Sequence, residues 1–524
     1  MTDSVDRRAG LVLPLFSCPS SQSWGIGEIA DVPIVTRWLT SAGVRVLQLL
    51  PLNEMAPGQS SPYSPISAMA VDPIFISLRD VPEFKAAGGE GSLHADERAA
   101  LDRVRRTARV DHAAVRALKT AVLRRAFDRF RDVEWDRGSG RAQAFKSFLS
   151  EQAWWVEDYA LFRALHARED ERPWTEWPEA LQRREPAAID HARRELAREV
   201  LYRQYLQWLA HVQWLDARRA AAGVSLYGDL PFMVDRDSAD VWARQQEFDL
   251  DVSVGAPPDG FSKTGQNWGM PAYRWDAIAL NEYRWLRERA RRTADFYDGY
   301  RIDHVVGFFR TYEIPRDGGA PFFSPPDEPA QRSLGESLLT LFKESSGEII
   351  AEDLGTVPDF VRAALGRLGI PGFRIFRWER HWQAEGQPFR EPSEYPAVSV
   401  AASGTHDTEP LVVWWEHASA EDRALVNALH SVRQAANRPI TDAPVEPDVR
   451  EALVETLFAS RSNLLLLPVQ DAFGWRDRIN DPAVMGGANW TFKLPWPSDH
   501  LDDIPEARKR RDQLRAWSMK HGRL

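Results

Sequence analysis

The sequence has few of the features that several common function classes require. Cys18 is the only cysteine among 524 residues, which excludes an internal disulfide and a cysteine-based zinc cluster and predicts a buried apolar thiol. Neither a Gly-x-Ser-x-Gly turn nor a Gly-x-x-x-x-Gly-Lys loop occurs, and Trp24-Gly-Ile-Gly-Glu28 lacks the dinucleotide-binding pattern. Nucleophile-elbow hydrolases, P-loop nucleotide enzymes and Rossmann dehydrogenases are therefore excluded.

The chain also lacks an excess of positive charge and a long apolar run. Its net charge is −10, from 66 basic and 76 acidic residues, so neither nucleic acid nor an anionic membrane is expected as a partner. The first apolar run, residues 11–16, is too short and too interrupted by proline to be a signal or transmembrane segment. We expect a cytoplasmic protein with a neutral substrate, and the sequence leaves its oligomeric state open.

Aromatic residues, in contrast, are plentiful. The 21 tryptophans and 11 tyrosines include many in Gly/Pro/Asn-rich stretches such as Gly265-Gln-Asn-Trp268-Gly-Met-Pro-Ala-Tyr273-Arg-Trp275. Loop aromatics can form a binding surface, since the C–H faces of sugar rings stack on them. For any single tryptophan, simple coverage of the core is an equally good interpretation.

Eight short apolar runs, several separated by helical-period segments, predict an α/β fold. A closed (β/α)8 TIM barrel is the favoured architecture, and a doubly wound open sheet is the alternative. The expected strands are Leu11–Phe16, Arg45–Pro51, Val224–Leu230, Tyr300–Asp303, Glu348–Asp353, Phe373–Phe376, Val398–Thr405 and Leu464–Val469.

We expect residues 1–524 to form a single catalytic domain with two insertions. Residues 83–222 read as charged, Ala-rich amphipathic helix and predict a helical insertion subdomain between strands 2 and 3. Residues 232–275, rich in Asp, Gly, Pro and Trp, predict a substrate-binding loop insertion after strand 3.

Four carboxylates stand at the ends of predicted strands. They are Asp229, Asp303, Glu352 and Asp407. In a barrel these ends meet at one face, which carries the active site. Any one carboxylate could be structural, and Arg301 with Asp303 could be a plain salt bridge, but four at four strand ends favour chemistry on an α-glycosidic bond.

Retaining glycosidic chemistry needs one ionised and one protonated carboxyl, about 5–5.5 Å apart. Asp303 suits the nucleophile because Arg301 favours its ionised form. Glu352 suits the acid because its side chain is longer and neighbouring carboxylates would raise its pKa. Asp407 would bind ring hydroxyls, and His304 and His406 would donate hydrogen bonds to hydroxyls.

A metal site is the alternative for the neighbouring Asp and His residues. Adjacent residues on a strand point to opposite faces, which makes joint ligation by one pair awkward. No calcium loop of the Asp-x-Asp-x-Asp-Gly type occurs. We predict no cofactor and no metal requirement.

At these motifs the sequence resembles the amylomaltase family of 4-α-glucanotransferases, or disproportionating enzymes, of the α-amylase clan. The resemblance covers nearly the whole chain. Three further segments carry it: Ser61-Pro-Tyr63-Ser-Pro-Ile-Ser67, Tyr227-Gly-Asp229-Leu-Pro, and the most specific, Pro257-Pro-Asp259-Gly-Phe-Ser-Lys-Thr-Gly-Gln266-Asn-Trp268-Gly.

The resemblance implies a role for each matching residue. Asp303 corresponds to the nucleophile, Glu352 to the general acid/base and Asp407 to the transition-state stabiliser. Substrate contacts are implied for Tyr63, Asp259, Gln266, Trp268, Arg301 and His406, and we expect Asp229 and His304 to bind substrate as well. The implied reaction moves an α-1,4-glucan segment from a maltooligosaccharide or starch-like donor to the 4-hydroxyl of a glucan or glucose acceptor. The stretch around Trp268, Tyr273 and Trp275 is our candidate for the surface that binds the acceptor and excludes water.

The sequence departs from the family at the sixth strand. Gly372-Phe-Arg-Ile-Phe-Arg377-Trp378 replaces the expected Gln-Phe-Ala-Phe-like run, and Arg377 and Trp378 could shape a sugar subsite or pack against the barrel. An α-glucan hydrolase and a non-catalytic glucan-binding barrel are the competing functions. Chain-length preference, cycloglucan formation and the ratio of hydrolysis to transfer stay open.

Overall fold

Eight parallel strands close into a barrel in the computed structural model, which describes residues 6–56, 58–59, 61–221, 223–258, 263–345, 347–436, 439–440, 447–482, 484 and 486–524. The barrel strands follow one another in the order β1-β14-β13-β12-β11-β8-β3-β2, and β2 pairs with β1 to complete the ring. The predicted TIM barrel is confirmed and the open sheet is excluded. All strands of the described residues are β1 Arg8–Val12, β2 Val46–Gln48, β3 Ser225–Leu230, β4 Phe248–Asp249, β5 Val252–Ala256, β6 Gln266–Asn267, β7 Ala272–Tyr273, β8 Gly299–Ile302, β9 Thr311–Pro315, β10 Phe322–Ser324, β11 Glu348–Ala351, β12 Gly372–Ile375, β13 Ser399–Ala402 and β14 Leu464–Pro468.

Each barrel strand overlaps a predicted run, with the largest shift at β1. We expected that strand to reach Phe16, but it ends at Val12, and a 3-10 turn follows at Leu15–Ser17. Pro14 lies between them and has no N–H to donate to a neighbouring strand. The strands are almost entirely buried, as in β14, where all five residues are buried, because helices cover the outside of a parallel barrel.

Helices occupy the chain between β2 and β3, as the periodicity of residues 83–222 predicts. The long helix α9 packs against α6, and rings of Phe130, Phe145, Tyr205 and Trp208 form an aromatic cluster among these helices. The separation of this region as a subdomain stays a prediction. The helices here are α2 Pro82–Ala86, α3 Ala95–Arg106, α4 His112–Phe130, α5 Gly140–Glu151, α6 Ala153–Arg168, α7 Glu179–Gln182, α8 Pro186–Glu195 and α9 Ala197–Ala220, after α1 Val32–Ser41 between β1 and β2.

The remaining helices cover the second half of the barrel and the C-terminus. Within the described residues they are α10 Ala239–Ala243, α11 Trp275–Leu280, α12 Arg284–Phe296, α13 Val306–Phe309, α14 Glu328–Ser345, α15 Asp359–Leu368, α16 Leu411–His417, α17 Ala420–Ala428, α18 His430–Ala435, α19 Pro447–Phe458, α20 Val469–Phe473 and α21 Pro505–Lys520.

Two small antiparallel sheets, which sequence reasoning missed, lie beside the barrel. The strands β10, β9, β5 and β6 form one sheet, and β4 pairs with β7 in the other. The larger sheet joins the insertion after β3 to the segment after β8, which are distant in sequence. The expected loop insertion at residues 232–275 is thus partly built on a second sheet.

Candidate active site

Parallel register brings the predicted carboxylates to one end of the barrel. Asp229 in β3 lies opposite Arg301 in β8, and the backbone N–H of Glu352 donates to Ile302, the residue before Asp303, at 3.0 Å. In-register parallel strands end at the same level. The residues at the ends of β3, β8 and β11 therefore meet at one mouth.

The Arg301 guanidinium connects three of these carboxylates. Its Nη1 donates to both carboxylate oxygens of Asp229 at 2.7 Å. Its Nη2 lies 2.9 Å from Asp303 Oδ1 and 3.5 Å from Glu352 Oε2. Because Arg301 Nη2 contacts both carboxylates, Asp303 Oδ1 and Glu352 Oε2 are separated by no more than the sum of these two distances. This is compatible with the roughly 5–5.5 Å of a retaining pair.

Asp229 is the inner anchor of this group. Its side chain is fully buried, and Oδ2 also accepts from the Tyr63 hydroxyl at 2.7 Å. Burial raises the pKa of Asp229, and the nearby Arg301 guanidinium opposes that rise. The carboxylate thus fixes Arg301 and Tyr63, two of the residues predicted to contact substrate.

Glu352 is held in the protonated form at neutral pH. Burial, with added repulsion from Asp303 and Asp407, raises its pKa to about 8, although Arg301 and a hydrogen bond oppose the rise. That hydrogen bond comes from the backbone N–H of His304, which lies 2.7 Å from Oε2. Asp303, which is bound by Arg301, lies close to this protonated carboxyl. A substrate bond placed between the two side chains could receive the proton of Glu352 on its leaving oxygen.

Asp407, in contrast, is held ionised. Burial alone would raise its pKa, but His406 and a hydrogen bond from Asn480 lower it to about 2. His406 Nε2 lies 3.2 Å from Oδ2, and Asn480 Nδ2 donates to Oδ1 at 2.6 Å. At neutral pH Glu352 is therefore uncharged and Asp407 is negatively charged in the same cleft.

An aromatic wall lies beside Asp407. The His406 ring stacks on Tyr63 with ring centres 5.1 Å apart, and Trp490 packs against both rings. Sequence reasoning missed Trp490 and Asn480, and it also missed Arg478, which donates to the Asp407 carbonyl at 2.7 Å. All three follow α20, and no motif in the sequence points to them.

The structure brings His304 and Trp268 into contact on the other side of the mouth. Their rings meet edge to face with centres 4.9 Å apart, and Trp268 Nε1 donates to Gln266 Oε1 at 2.9 Å. His304 has the left-handed φ of 45°, a conformation that costs energy in a non-glycine residue. This conformation accompanies the bond from its N–H to Glu352. Asp259, also predicted to bind substrate, lies outside the described residues.

Tyr273 does not belong to the binding surface, contrary to our expectation. It is only 3% exposed, its hydroxyl donates to the Phe232 carbonyl at 2.8 Å, and its ring packs against Trp275 and Trp285. It is a core residue of the small insertion. Most tryptophans of the chain, including Trp214 and Trp242, are likewise buried in the core.

Arg377 packs against the barrel, one of the two interpretations that the sequence left open. It is 6% exposed, its Nε donates to the Ser403 carbonyl at 3.2 Å, and its guanidinium lies 5.4 Å from the centre of the Trp414 ring. Trp378 is half-buried beside it.

Comparison with known proteins agrees with this geometry. The model of the 4-alpha-glucanotransferase family matches residues 13–499. The chain belongs to this family. The predicted family and activity, 4-α-glucan transfer, are thereby confirmed, and the hydrolase and the non-catalytic barrel are the less supported alternatives.

Individual relatives of the family cover nearly the whole chain. The 4-alpha-glucanotransferase of Thermus thermophilus is 34% identical over 94% of this chain and 95% of its own. That of Chlamydia pneumoniae is 32% identical over 93% and 91%. The amylomaltase of Streptococcus agalactiae, solved in complex with acarbose, is 26% identical, with a TM-score of 0.81 over 99% of both chains.

The predicted cytoplasmic location and the predicted absence of a metal requirement are not tested by these comparisons. Among the described residues, none of the helices has the length and apolar character needed to cross a bilayer. In the same part of the chain no group of three or more His, Cys, Asp and Glu side chains could hold a metal ion. Cytoplasmic location and metal-independent activity stay predictions.

Proposed function

We propose that Asp303 is the nucleophile and Glu352 the general acid/base of a retaining double displacement on α-1,4-glucans. The observation that carries this proposal is the position of both carboxylates within 3.5 Å of one Arg301 nitrogen. The raised pKa of Glu352, about 8, supports the division of roles, because the acid must be protonated before the bond breaks.

In the first step Asp303 attacks the anomeric carbon while Glu352 gives its proton to the departing glycosidic oxygen. The donor segment is then bonded to Asp303, and the shortened glucan leaves with a free 4-hydroxyl. In the second step the ionised Glu352 takes the proton of the acceptor's 4-hydroxyl, whose oxygen attacks the anomeric carbon. The bond to Asp303 breaks, and both carboxyls return to their starting states.

The other side chains of the mouth bind and stabilise. Arg301 orients the nucleophile through the contact between Nη2 and Asp303 Oδ1. Asp407, ionised because of His406 and Asn480, is suited to bind ring hydroxyls and the positive charge that develops at the transition state. Asp229 positions Arg301 and Tyr63 through its hydrogen bonds to them, and its own contact with substrate stays a prediction.

Transfer rather than hydrolysis requires that an acceptor glucan displace water from the intermediate. We propose Trp268 as the ring that covers the acceptor. The Trp268 ring lies against His304, and His304 directly follows Asp303, the residue that we assign as nucleophile. Trp268 is half-buried rather than part of the core.

Incubation with maltotriose tests the reaction. A ladder of longer and shorter glucans is the expected result, whereas shortening alone with accumulating reducing ends would indicate a hydrolase. Roles are tested with Asp303→Asn and Glu352→Gln, each expected to lower kcat by about 10²-fold or more. Glu348→Gln, at the opposite end of the same strand, is the matched control. Trapping the glycosyl intermediate should label Asp303, and a label elsewhere would contradict the assignment.

A further inference from the structure

A second groove is lined in part by the loop that follows the proposed acid/base residue. Its volume is about 760 Å³, within the approximately 300–1,000 Å³ of small-ligand sites. Its walls come from Arg310 after α13, from Gln331 and Arg332 on α14, and from residues 356–360 before and at the start of α15. Thr356 follows Glu352 by four residues, so it lies at most about 14 Å away.

Two pairs of a guanidinium and an aromatic ring flank this groove. The Arg310 guanidinium lies 4.1 Å from the centre of the Phe323 ring, and its buried Nε has no hydrogen-bond partner among the described residues. Arg332 lies 5.7 Å from the centre of the Phe360 ring. Planar donors held against flat apolar rings suit a ligand with both hydroxyl groups and C–H faces.

The charges of the groove favour a neutral ligand. Glu328 and Asp359 line it together with Arg310 and Arg332, so the acidic and basic side chains balance. Glu328 Oε1 also lies 2.6 Å from Arg332 Nη2 and occupies that cation. A phosphorylated ligand would meet the two carboxylates, and its repulsion from them would offset attraction to Arg310.

The groove lies at the same end of the barrel as the active site, because Arg310 follows Asp303 by seven residues and Thr356 follows Glu352 by four. Phe323 is in β10, at one edge of the four-stranded sheet, and β6 with Gln266 is at the other edge. Trp268 follows β6, so one sheet connects the Trp268 contact with Arg310. Glu352 deprotonates the acceptor hydroxyl in the proposed mechanism, and the loop that leads from Glu352 forms the opposite wall.

We propose that this groove binds the distal glucose units of an α-glucan acceptor, which makes it a site of preference for long acceptors. The proposal rests on the function proposed above and extends it. Bound there, a long acceptor gains contacts to Arg310 and Arg332 that a single glucose cannot reach. Short and long acceptors should then differ in KM through these two residues.

Arg310→Met, Arg332→Met and the double variant test the groove. Transfer from a fixed donor is measured to maltoheptaose and to glucose. For the double variant we expect KM for maltoheptaose to rise about fivefold to tenfold, equivalent to about 1–1.4 kcal/mol, with KM for glucose within twofold of the parent value. Arg367→Met, on α15 outside the groove, is the matched control and should change neither.

The outcomes separate the two proposals. If the parent enzyme forms no ladder from maltotriose, the proposed function fails. If it forms the ladder but the double variant keeps the parent KM for maltoheptaose, or loses activity equally with both acceptors, the groove proposal is overturned. Arg332 is 42% exposed, so Arg332→Met alone should fold and gives the same test if Arg310→Met does not.

Discussion

Glu352 should control the alkaline side of the pH profile. Its pKa is raised to about 8, and the reaction begins from its protonated form. We expect kcat/KM to fall to half near pH 8 and then about tenfold for each further pH unit. Glu352→Gln cannot ionise, so its small residual activity should show no such fall.

The same ionisation should appear in stability. The pKa of Glu352 in the folded protein, about 8, lies above its ordinary value of 4.5. The contribution of this side chain to the free energy of unfolding is therefore fully present below pH 4.5 and is lost as the pH rises through about 8. Each unit of difference corresponds to about 1.4 kcal/mol, so at most about 5 kcal/mol is involved. The Gln variant is spared this loss.

Urea unfolding of the parent and Glu352→Gln proteins at pH 5 and pH 9 measures the effect. We expect the free energy of unfolding of the variant minus that of the parent to be larger at pH 9 than at pH 5, so that the variant gains stability relative to the parent at high pH. A difference that is the same at both pH values, together with an alkaline limb that survives in Glu352→Gln, would refute the assignment of the raised pKa to this residue.

Three further perturbations test other parts of the site. Trp268→Ala should raise the ratio of hydrolysis to transfer, measured by reducing ends released per transfer product, while the exposed Trp382→Ala should not; equal ratios would remove Trp268 from the acceptor side. Asn480→Ala should lower kcat by about tenfold without a large change in melting temperature, because it removes one hydrogen bond to an ionised carboxylate; an unchanged kcat would show that this bond is dispensable. Asp229→Asn leaves the buried Arg301 short of a charge partner and should lower the free energy of unfolding by about 3–5 kcal/mol; a melting temperature equal to the parent's would contradict the anchoring role. Full activity in a chelator is expected as well, and its loss would reveal a metal requirement.

Much of the fold could be predicted from local sequence patterns. The eight barrel strands each lie on an apolar run ended by a polar or Gly/Pro signal, and such runs depend on neighbours in sequence. The strand-end positions of Asp303 and Glu352 followed at once, because a parallel barrel brings all carboxyl ends of its strands to one face. The order of these motifs also allowed the family to be identified.

Short strands and loop contacts could not be predicted in this way. The two-residue strand β6 is too short to show a period, and it pairs with β5, which in turn pairs with β9 from beyond β8. Tyr273 lies in a sequence rich in loop residues yet is buried, since its burial depends on Phe232 and Trp285. Such positions are decided by long-range packing.

The sequence by itself therefore determined the barrel and the family, and it placed Asp303 and Glu352 at the ends of barrel strands. Tertiary structure alone decided the charge states of Glu352 and Asp407 and the hydrogen bonds that hold them. Asn480 lies 73 residues from Asp407, and the pKa of Glu352 depends on burial and on Arg301, Asp303 and Asp407. Burial and distances between charges are properties of the folded chain, because they arise only when segments far apart in sequence enclose the same small volume.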